Sequence, residues 1–379
     1  MALEAPPLGL YVHLPWCIRK CPYCDFNSHA APESIPFEAY SRALIGDLDQ
    51  QREQVAGRPL TSIYFGGGTP SLFPARYLER LLRAIEMRLA TVADVEVTLE
   101  ANPGTVEHDA FAAYRDAGVN RVSLGVQSFS DRCLRAIGRI HGRAEVEPAI
   151  ESLRRAGLGN FNLDLMYGLP GQTPHGALRD LEQAVAAQPA HISWYQLTIE
   201  PNTLFAARPP RLPGEEALEA MHRDAGQLLA DHGYDNYEIS AWSRAGLRCR
   251  HNLNYWRYGD YLGIGAGAHG KVTHASRGRI YRYSCQRHPR AYLQGRWRAE
   301  QRELDGAERV FEYFLNRLRL RECFTPGDFA ARTGLGWENV AHRVQRARQD
   351  GLLEVRRGGF RTTAFGRRFL NDAQAMFLP

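Results

Sequence analysis

The sequence predicts an α/β protein with a parallel sheet, followed by a small α+β unit of winged-helix-like outline. Three observations predict it. Over the first 200 residues, six short apolar runs alternate with amphipathic stretches. Parallel strands need crossovers, and a helix between successive strands supplies them. Several runs end in polar or glycine-rich sequence, where parallel β/α folds carry their active sites. From residue 306 onward the pattern changes to helices and then a hairpin.

The strand candidates, in order, are Leu8–Leu14, Ser62–Phe65, Val95–Glu100, Arg121–Gly125, Asn160–Leu165 and His191–Leu197. Each is a short run of apolar and β-branched residues bounded by Gly, Pro, Asn or Asp. Helices are expected at Pro36–Gln54, Ala75–Leu89, His108–Asp116, Val146–Arg155 and Pro174–Ala187, where apolar residues recur at helical spacing. A further helix is expected at Gly214–His232, then an irregular aromatic-rich stretch to about residue 300. The last segment reads as helices at Ala307–Leu320, Thr325–Arg332 and Glu338–Asp350. Strands Leu352–Arg356 and Phe360–Thr363 flank a Gly358-Gly359 turn, and one final helix follows. The organisation expected is therefore 1–213, a connecting region 214–305, and 306–379.

Composition narrows the function classes. With 379 residues, 44% hydrophobic and 23% charged, the chain can bury a substantial core, and a collagen-like or coiled-coil rod is excluded. No run of 18 apolar residues occurs, and Met1–Pro7 lacks the features of a signal peptide, so a cytoplasmic protein without a membrane span is expected, with peripheral association left open. The net charge of +5 hides an asymmetry: residues 1–250 sum to −6 and residues 251–379 to +11. A basic second part suits an anionic partner. Lysine occurs only at Lys20 and Lys271, and the other 45 basic residues are arginine, as codon bias in a GC-rich genome would give.

Seven cysteines without an export signal argue against a disulfide framework. Cys133, Cys249, Cys285 and Cys323 are scattered and read as small buried residues. Cys17, Cys21 and Cys24 crowd into eight residues directly after the first strand. Three thiolates on one loop can hold three irons of a [4Fe–4S] cluster and leave the fourth open. The alternative is a zinc loop completed by His13 or His29. Gly265-x-Gly267-x-x-Gly270 matches a dinucleotide fingerprint, but no acid lies between Gly270 and Glu300. It reads instead as a glycine-rich turn near the mouth of the sheet.

The Cys-x3-Cys-x2-Cys loop after a first strand resembles the radical SAM superfamily. Tyr11-Val12-His13-Leu14-Pro15-Trp16-Cys17 and Cys21-Pro22-Tyr23-Cys24-Asp25-Phe26-Asn27-Ser28 resemble its oxygen-independent coproporphyrinogen oxidase-like group. The likeness continues through Gly66–Ser71, Glu100–Gly104, Gly125–Phe129, Gly138–His141, Asp164–Gln172 and His251–Trp256. It implies a partial (β/α)6 TIM-like barrel and a [4Fe–4S] cluster on Cys17, Cys21 and Cys24. The open iron would bind the amino and carboxylate groups of S-adenosylmethionine, and electron donation would cleave the sulfonium to a 5′-deoxyadenosyl radical. The resemblance also implies contacts to that cofactor from Tyr11, Tyr23, Gly67, Gly68, Thr69, Glu100, Gln127, Arg139 and Asp164. These types suit it: carboxylates suit an ammonium or a ribose diol, and Arg139 suits a carboxylate.

Within the group, the oxidases carry a further Cys two residues after the third, where this chain has Phe26, and a longer N-terminal extension. Both departures match the haem chaperones instead. The resemblance then implies that His251, Tyr255 and Trp256 of a His-Asn-x-x-Tyr-Trp motif hold haem, with Cys249 a weaker candidate. Lys271, Arg277, Arg279, Arg282, Arg287, Arg290, Arg296 and Arg298, with no acid among them, suit haem propionates, though an arginine-biased solvated surface accounts for most of them. The expected function is haem binding and delivery to haem-accepting respiratory proteins, with an electron donor for the cluster and no catalytic residue assigned. The alternatives are a radical SAM enzyme such as a coproporphyrinogen oxidase and, lower, nucleic-acid binding through the C-terminal unit.

Overall fold

The computed structural model describes residues 2–55, 57–104 and 109–379. Six strands form first: β1 Leu8–Leu14, β2 Leu60–Gly67, β3 Thr91–Ala101, β4 Arg121–Gln127, β5 Phe161–Tyr167 and β6 His191–Gln196. They lie side by side in sequence order, each parallel to the next. The crossovers include the helices Phe37–Gln51, Ala75–Glu86, Phe111–Asp116, Arg143–Arg155 and Pro174–Ala186. The helix expected from His108 starts at Phe111, and His108 itself lies outside the described residues. Short helices at Asp131–Ala136 and Leu204–Ala207 were absent from the sequence expectation.

Strand alternation gives this sheet two chemically different faces. Leu10, Val12, Ile63, Phe65, Val97, Leu99, Val122, Leu124, Leu163, Leu165 and Ile192 are buried in one apolar core with helix residues such as Leu44, Leu78 and Leu181. The alternate positions are mostly polar: Ser62, Tyr64, Glu96, Thr98, Glu100, Arg121, Ser123, Asn162, Asp164, His191 and Ser193. The concave side is thus a polar interior, and its polar groups must find partners within the fold.

The region 214–305 corrects the expectation of an irregular stretch. After the helix Glu215–Asp231 come β7 Asp235–Glu238, β8 Ala241–Ser243, the helix Arg250–Trp256, β9 Asp260–Ile264, β10 His269–His274, β11 Arg279–Cys285 and β12 Arg298–Glu303. All six strands join the same sheet, giving twelve among the described residues in the order β12-β11-β10-β9-β1-β2-β3-β4-β5-β6-β8-β7. β9 pairs parallel with β1, from Leu8 opposite Asp260 to Val12 opposite Ile264, so the parallel run has seven strands. Glycine, arginine and charged edge residues mask these strands in the sequence.

The turn between β9 and β10 holds Gly265 and Gly267, as expected, whereas Gly270 lies in β10. Gly267 takes φ 87°, and a Cβ there would stand 2.1 Å from Asn27 Nδ2. Only glycine lets the turn press against the cysteine loop.

The C-terminal unit comprises the helices Gly306–Arg317, Pro326–Thr333 and Ala341–Gln349, the hairpin β13 Leu353–Arg356 with β14 Gly359–Thr362, and two short helices, Ala364–Arg368 and Leu370–Ala375, in place of one. Tyr313, Phe314, Phe324, Phe329 and Phe377 centre its core, which also takes in Leu3, Tyr258 and Ile280 from the sheet side. Among the described residues no helix is long and apolar enough to cross a membrane.

One buried ion pair ties β9 to β10. Lys271 Nζ lies 2.9 Å from Asp260 Oδ1, 3.1 Å from the Tyr258 carbonyl and 4.0 Å from the Tyr258 ring centroid. Asp260 also takes Arg58 at 2.8 Å and the Thr273 amide and hydroxyl, each at 2.8 Å. Burial alone would raise the Asp260 carboxyl, but Lys271 and Arg58 outweigh it and hold it below its ordinary value. The stability it contributes is present above the unfolded value and is lost as pH falls through the lower folded one. Lys271→Met should therefore cost about 3 kcal/mol by urea denaturation at pH 7, because it strands part of a buried charge. It should also weaken the acid loss of stability expected of the unmutated chain.

Candidate cofactor site at the strand ends

The loop after β1 carries the three cysteines, and its fold is fixed by hydrogen bonds along its length. Trp16–Cys17 pairs parallel with His29–Ala30, which closes the loop at its base. The Cys24 amide donates to the Cys21 carbonyl at 3.1 Å, making a tight turn between two of the thiols. Lys20 Nζ donates to the carbonyls of Phe26 at 2.9 Å and Ser28 at 3.4 Å. Asn27 Nδ2 donates to Ala266 and Arg287 carbonyls at 2.9 and 2.8 Å, joining the loop to the β9–β10 turn and to the segment after β11.

The second strand end holds this loop from the other side. The amides of Gly68 and Thr69 donate to the carbonyls of Leu14 and Trp16, both at 2.8 Å. A Cβ on Gly68 would stand 2.5 Å from the Trp16 oxygen, so the approach requires glycine. The Gly67 amide donates to Glu100 Oε2 at 3.2 Å.

Cys17, Cys21, Cys24, Tyr23, Gly67, Gly68, Thr69, Glu100, Gln127, Arg139 and Asp164 all line one cavity of about 550 Å³ at the C-terminal strand ends. Tyr11 does not. Its ring lies deeper, stacked 6.2 Å from Tyr64, with its hydroxyl 3.0 Å from His13 Nδ1. His251, Tyr255 and Trp256 are not among the lining residues either. They sit on the helix Arg250–Trp256, which packs against β1, β2 and β9. His251 is 2% exposed, with Nδ1 2.8 Å from Ser62 Oγ and Nε2 3.2 Å from the Tyr255 hydroxyl. Burial, aided by Arg121, pushes it down to about 3, so the ring is neutral. Cys249 is fully buried, its thiol pushed up to about 12.

Inside the cavity several polar groups hold one another. Arg139 donates to the Gly125 carbonyl at 2.8 Å and to Asn102 Oδ1, and its Nη1 lies 3.7 Å from Cys21 Sγ. Gln127 takes a left-handed φ of 67°, and its Oε1 accepts the Tyr195 hydroxyl at 2.5 Å. Asp164 accepts from Ser123 at 2.7 Å and from Asn162 at 2.8 Å. Asn162 is fixed in turn by His191, whose other nitrogen meets the Tyr237 hydroxyl at 2.7 Å. Burial raises Asp164 above its ordinary value, against the pull of Ser123 and Asn162. Burial also pushes Glu100 up to about 7, with Asp164 adding to the rise and the Tyr64 hydroxyl and Gly67 amide opposing it.

Sequence reasoning missed Tyr64, Asn102, Ser123, His141, Ser193 and Tyr195, which also line the cavity. The available signal was strand alternation: Tyr64, Ser123 and Ser193 share the inward phase of Glu100 and Asp164. The zinc alternative loses His13 as its fourth ligand, whereas His29 Nε2 has no hydrogen-bond partner. His13 Nε2 donates to the Asn27 carbonyl at 2.9 Å while Nδ1 faces Tyr11, so the ring has no nitrogen free. Among the described residues no three His, Cys, Asp or Glu side chains converge on a single ion. A cubane has its irons at separate corners, which suits three thiols spread around one loop and facing one cavity.

Comparison with known proteins agrees with this geometry. Residues 11–184 match the model of the radical SAM superfamily, and residues 304–369 match that of the HemN C-terminal domain. The fold is that of the Escherichia coli coproporphyrinogen III oxidase HemN, described as a radical SAM enzyme, at a TM-score of 0.82 over 98% of this chain and 90% of that one, with 22% identity. The chain is a radical SAM protein, and the cofactors of that family are a [4Fe–4S] cluster and S-adenosylmethionine. It is 48% identical to the heme chaperone HemW of Escherichia coli K12 over 376 residues, and 48% identical to that of Haemophilus influenzae over 379, covering 99% of both partners in each case. It belongs to the HemW family.

Gly68→Ala should break the junction between loop and strand. We expect about 2 kcal/mol of lost stability, from a clash against backbone that cannot rotate away. Thermal unfolding of the apoprotein, with iron content after anaerobic reconstitution, measures both consequences.

Proposed function

We propose that this chain is a haem chaperone, carrying haem to haem-dependent respiratory proteins in the cytoplasm. The observation that carries the reading is the 48% identity, over essentially full length, to relatives named heme chaperones. Phe26 supports it: the oxidases' further cysteine is replaced by an apolar side chain that is 61% exposed at the rim of the cavity.

Cys17, Cys21 and Cys24, which line the cavity together, would hold the cluster. Bound there, the cluster would supply low-potential one-electron chemistry beside the sulfonium of S-adenosylmethionine. The chain's own residues do the positioning. The Gly67–Thr69 segment, its amides held by Glu100, Leu14 and Trp16, would receive the methionine end. Glu100 would accept its ammonium and Arg139 would pair its carboxylate, and Gln127, Asp164 and Tyr23 would line the nucleoside side. Tyr11 would act from beneath, by packing. His251, Tyr255 and Trp256 enter the reading as floor residues. Ligation of haem iron by His251 would require its helix to leave the barrel, because both ring nitrogens are engaged.

Anaerobic reconstitution tests the whole reading. About four irons per chain are expected, lost on Cys17→Ala, together with stoichiometric haem binding by absorbance titration. Decarboxylation of coproporphyrinogen with turnover would overturn the chaperone in favour of an oxidase. The Glu100 carboxyl adds a pH signature. Raised to about 7, it is neutral below that pH and cannot attract an ammonium. S-adenosylmethionine should therefore bind more weakly as pH falls through about 7, about tenfold per unit until the carboxyl is protonated in the complex as well. Calorimetric titration from pH 6 to 8.5 reads this directly.

A further inference from the structure

We propose that His251 is a positioning residue for the cofactor cavity, supporting the Tyr64 ring whose hydroxyl orients Glu100. This rests on Glu100 being the ammonium acceptor, as read above.

The contact runs unbroken from floor to cavity. The Glu96 carboxylate receives the His251 amide at 3.1 Å, and Ser62 and Tyr255 clamp the ring on both edges. The imidazole then stacks on Tyr64, with centroids 4.9 Å apart and planes 23° from parallel. Tyr11 stacks on Tyr64 as well, at 6.2 Å and 24°. Held in this way, the Tyr64 hydroxyl donates to Glu100 Oε1 at 2.9 Å, while the Gly67 amide takes Oε2. Both carboxylate oxygens are thus aimed by groups with no freedom of their own.

The titratable groups facing Glu100 are Tyr64, Tyr11 and Asp164. Asp164 disfavours its ionised form, and the Tyr64 hydroxyl favours it. Losing the hydroxyl, or letting the ring tilt, would make the carboxylate harder to form. A flat, neutral ring with hydrogen-bonding edges suits the place beneath Tyr64. It satisfies Ser62 and Tyr255 in a buried site and still offers a stacking face. An imidazole so occupied has no lone pair to offer an iron.

The experiment uses the full chain, anaerobically reconstituted, and reads S-adenosylmethionine affinity against pH, haem affinity and thermal midpoint. Tyr64→Phe should move the pH midpoint upward by about one unit. His251→Ala should move it the same way, and the double variant no further than the larger single shift. His251→Phe keeps the stacking face and should return the midpoint toward the unmutated value, whatever it does to haem. Should the alanine variant fail to fold, His251→Asn keeps a polar edge for Ser62, removes the stack and takes its place. A folded His251→Ala with an unmoved profile, or shifts that simply add in the double variant, overturns the proposal. An unmutated chain whose affinity is flat with pH overturns instead the reading of Glu100, which keeps the two failures distinct.

Discussion

The structure depends on the carboxylate of Glu96. It lies on the concave face of β3 and accepts the amides of Arg250 and His251 at 2.9 and 3.1 Å, which caps the first turn of the short helix from Arg250 to Trp256. A helix of seven residues has little stability of its own. Here a charge satisfies its free amides, at about 1.5–3 kcal/mol for each charge-assisted bond. The carboxylate needs the helix as much as the helix needs it, because Glu96 is itself buried in the barrel. Burial would lower Arg121, on the neighbouring β4, but Cys249 and then Glu96 outweigh it and hold it above its ordinary value.

From that cap the polar interior assembles in two columns. One passes through His251 and Tyr64 to Glu100. The other passes from Tyr237 through His191 and Asn162 to Asp164, with Ser123 braced against the end. Polar groups removed from water must be paired inside, and unpaired they cost more than a good bond returns. Two of the carboxylates that line the cavity, Glu100 and Asp164, are therefore oriented before any ligand arrives, which lowers the ordering cost of binding.

What could be read from the sequence follows from which signals are local. The six first strands were visible because each alternates with a helix of clear periodicity. The cysteine loop was visible because three thiols in eight residues have few other uses. Asp260–Ile264 was hidden: its pairing with β1 spans about 250 residues, and its own five residues include an aspartate and a glycine. Tyr64 was hidden for a different reason. A tyrosine in a strand reads as β-propensity, and only the inward phase shared with Ser62 and Glu100 marks it. His251 was singled out by its motif, but its burial and two engaged nitrogens follow from contacts no spacing displays.

The two lysines have a consequence beyond electrostatics. Lys271 is sealed in the sheet, whereas Lys20 lies in the open and braces the carbonyls of Phe26 and Ser28. The surface of this chain is thus almost devoid of reactive side-chain amines, and the accessible one belongs to the loop that carries the cysteines. Among the side chains, acylation by a reagent that reacts with primary amines would report on that one loop, its rate following how tightly the loop is closed while the arginines stay silent.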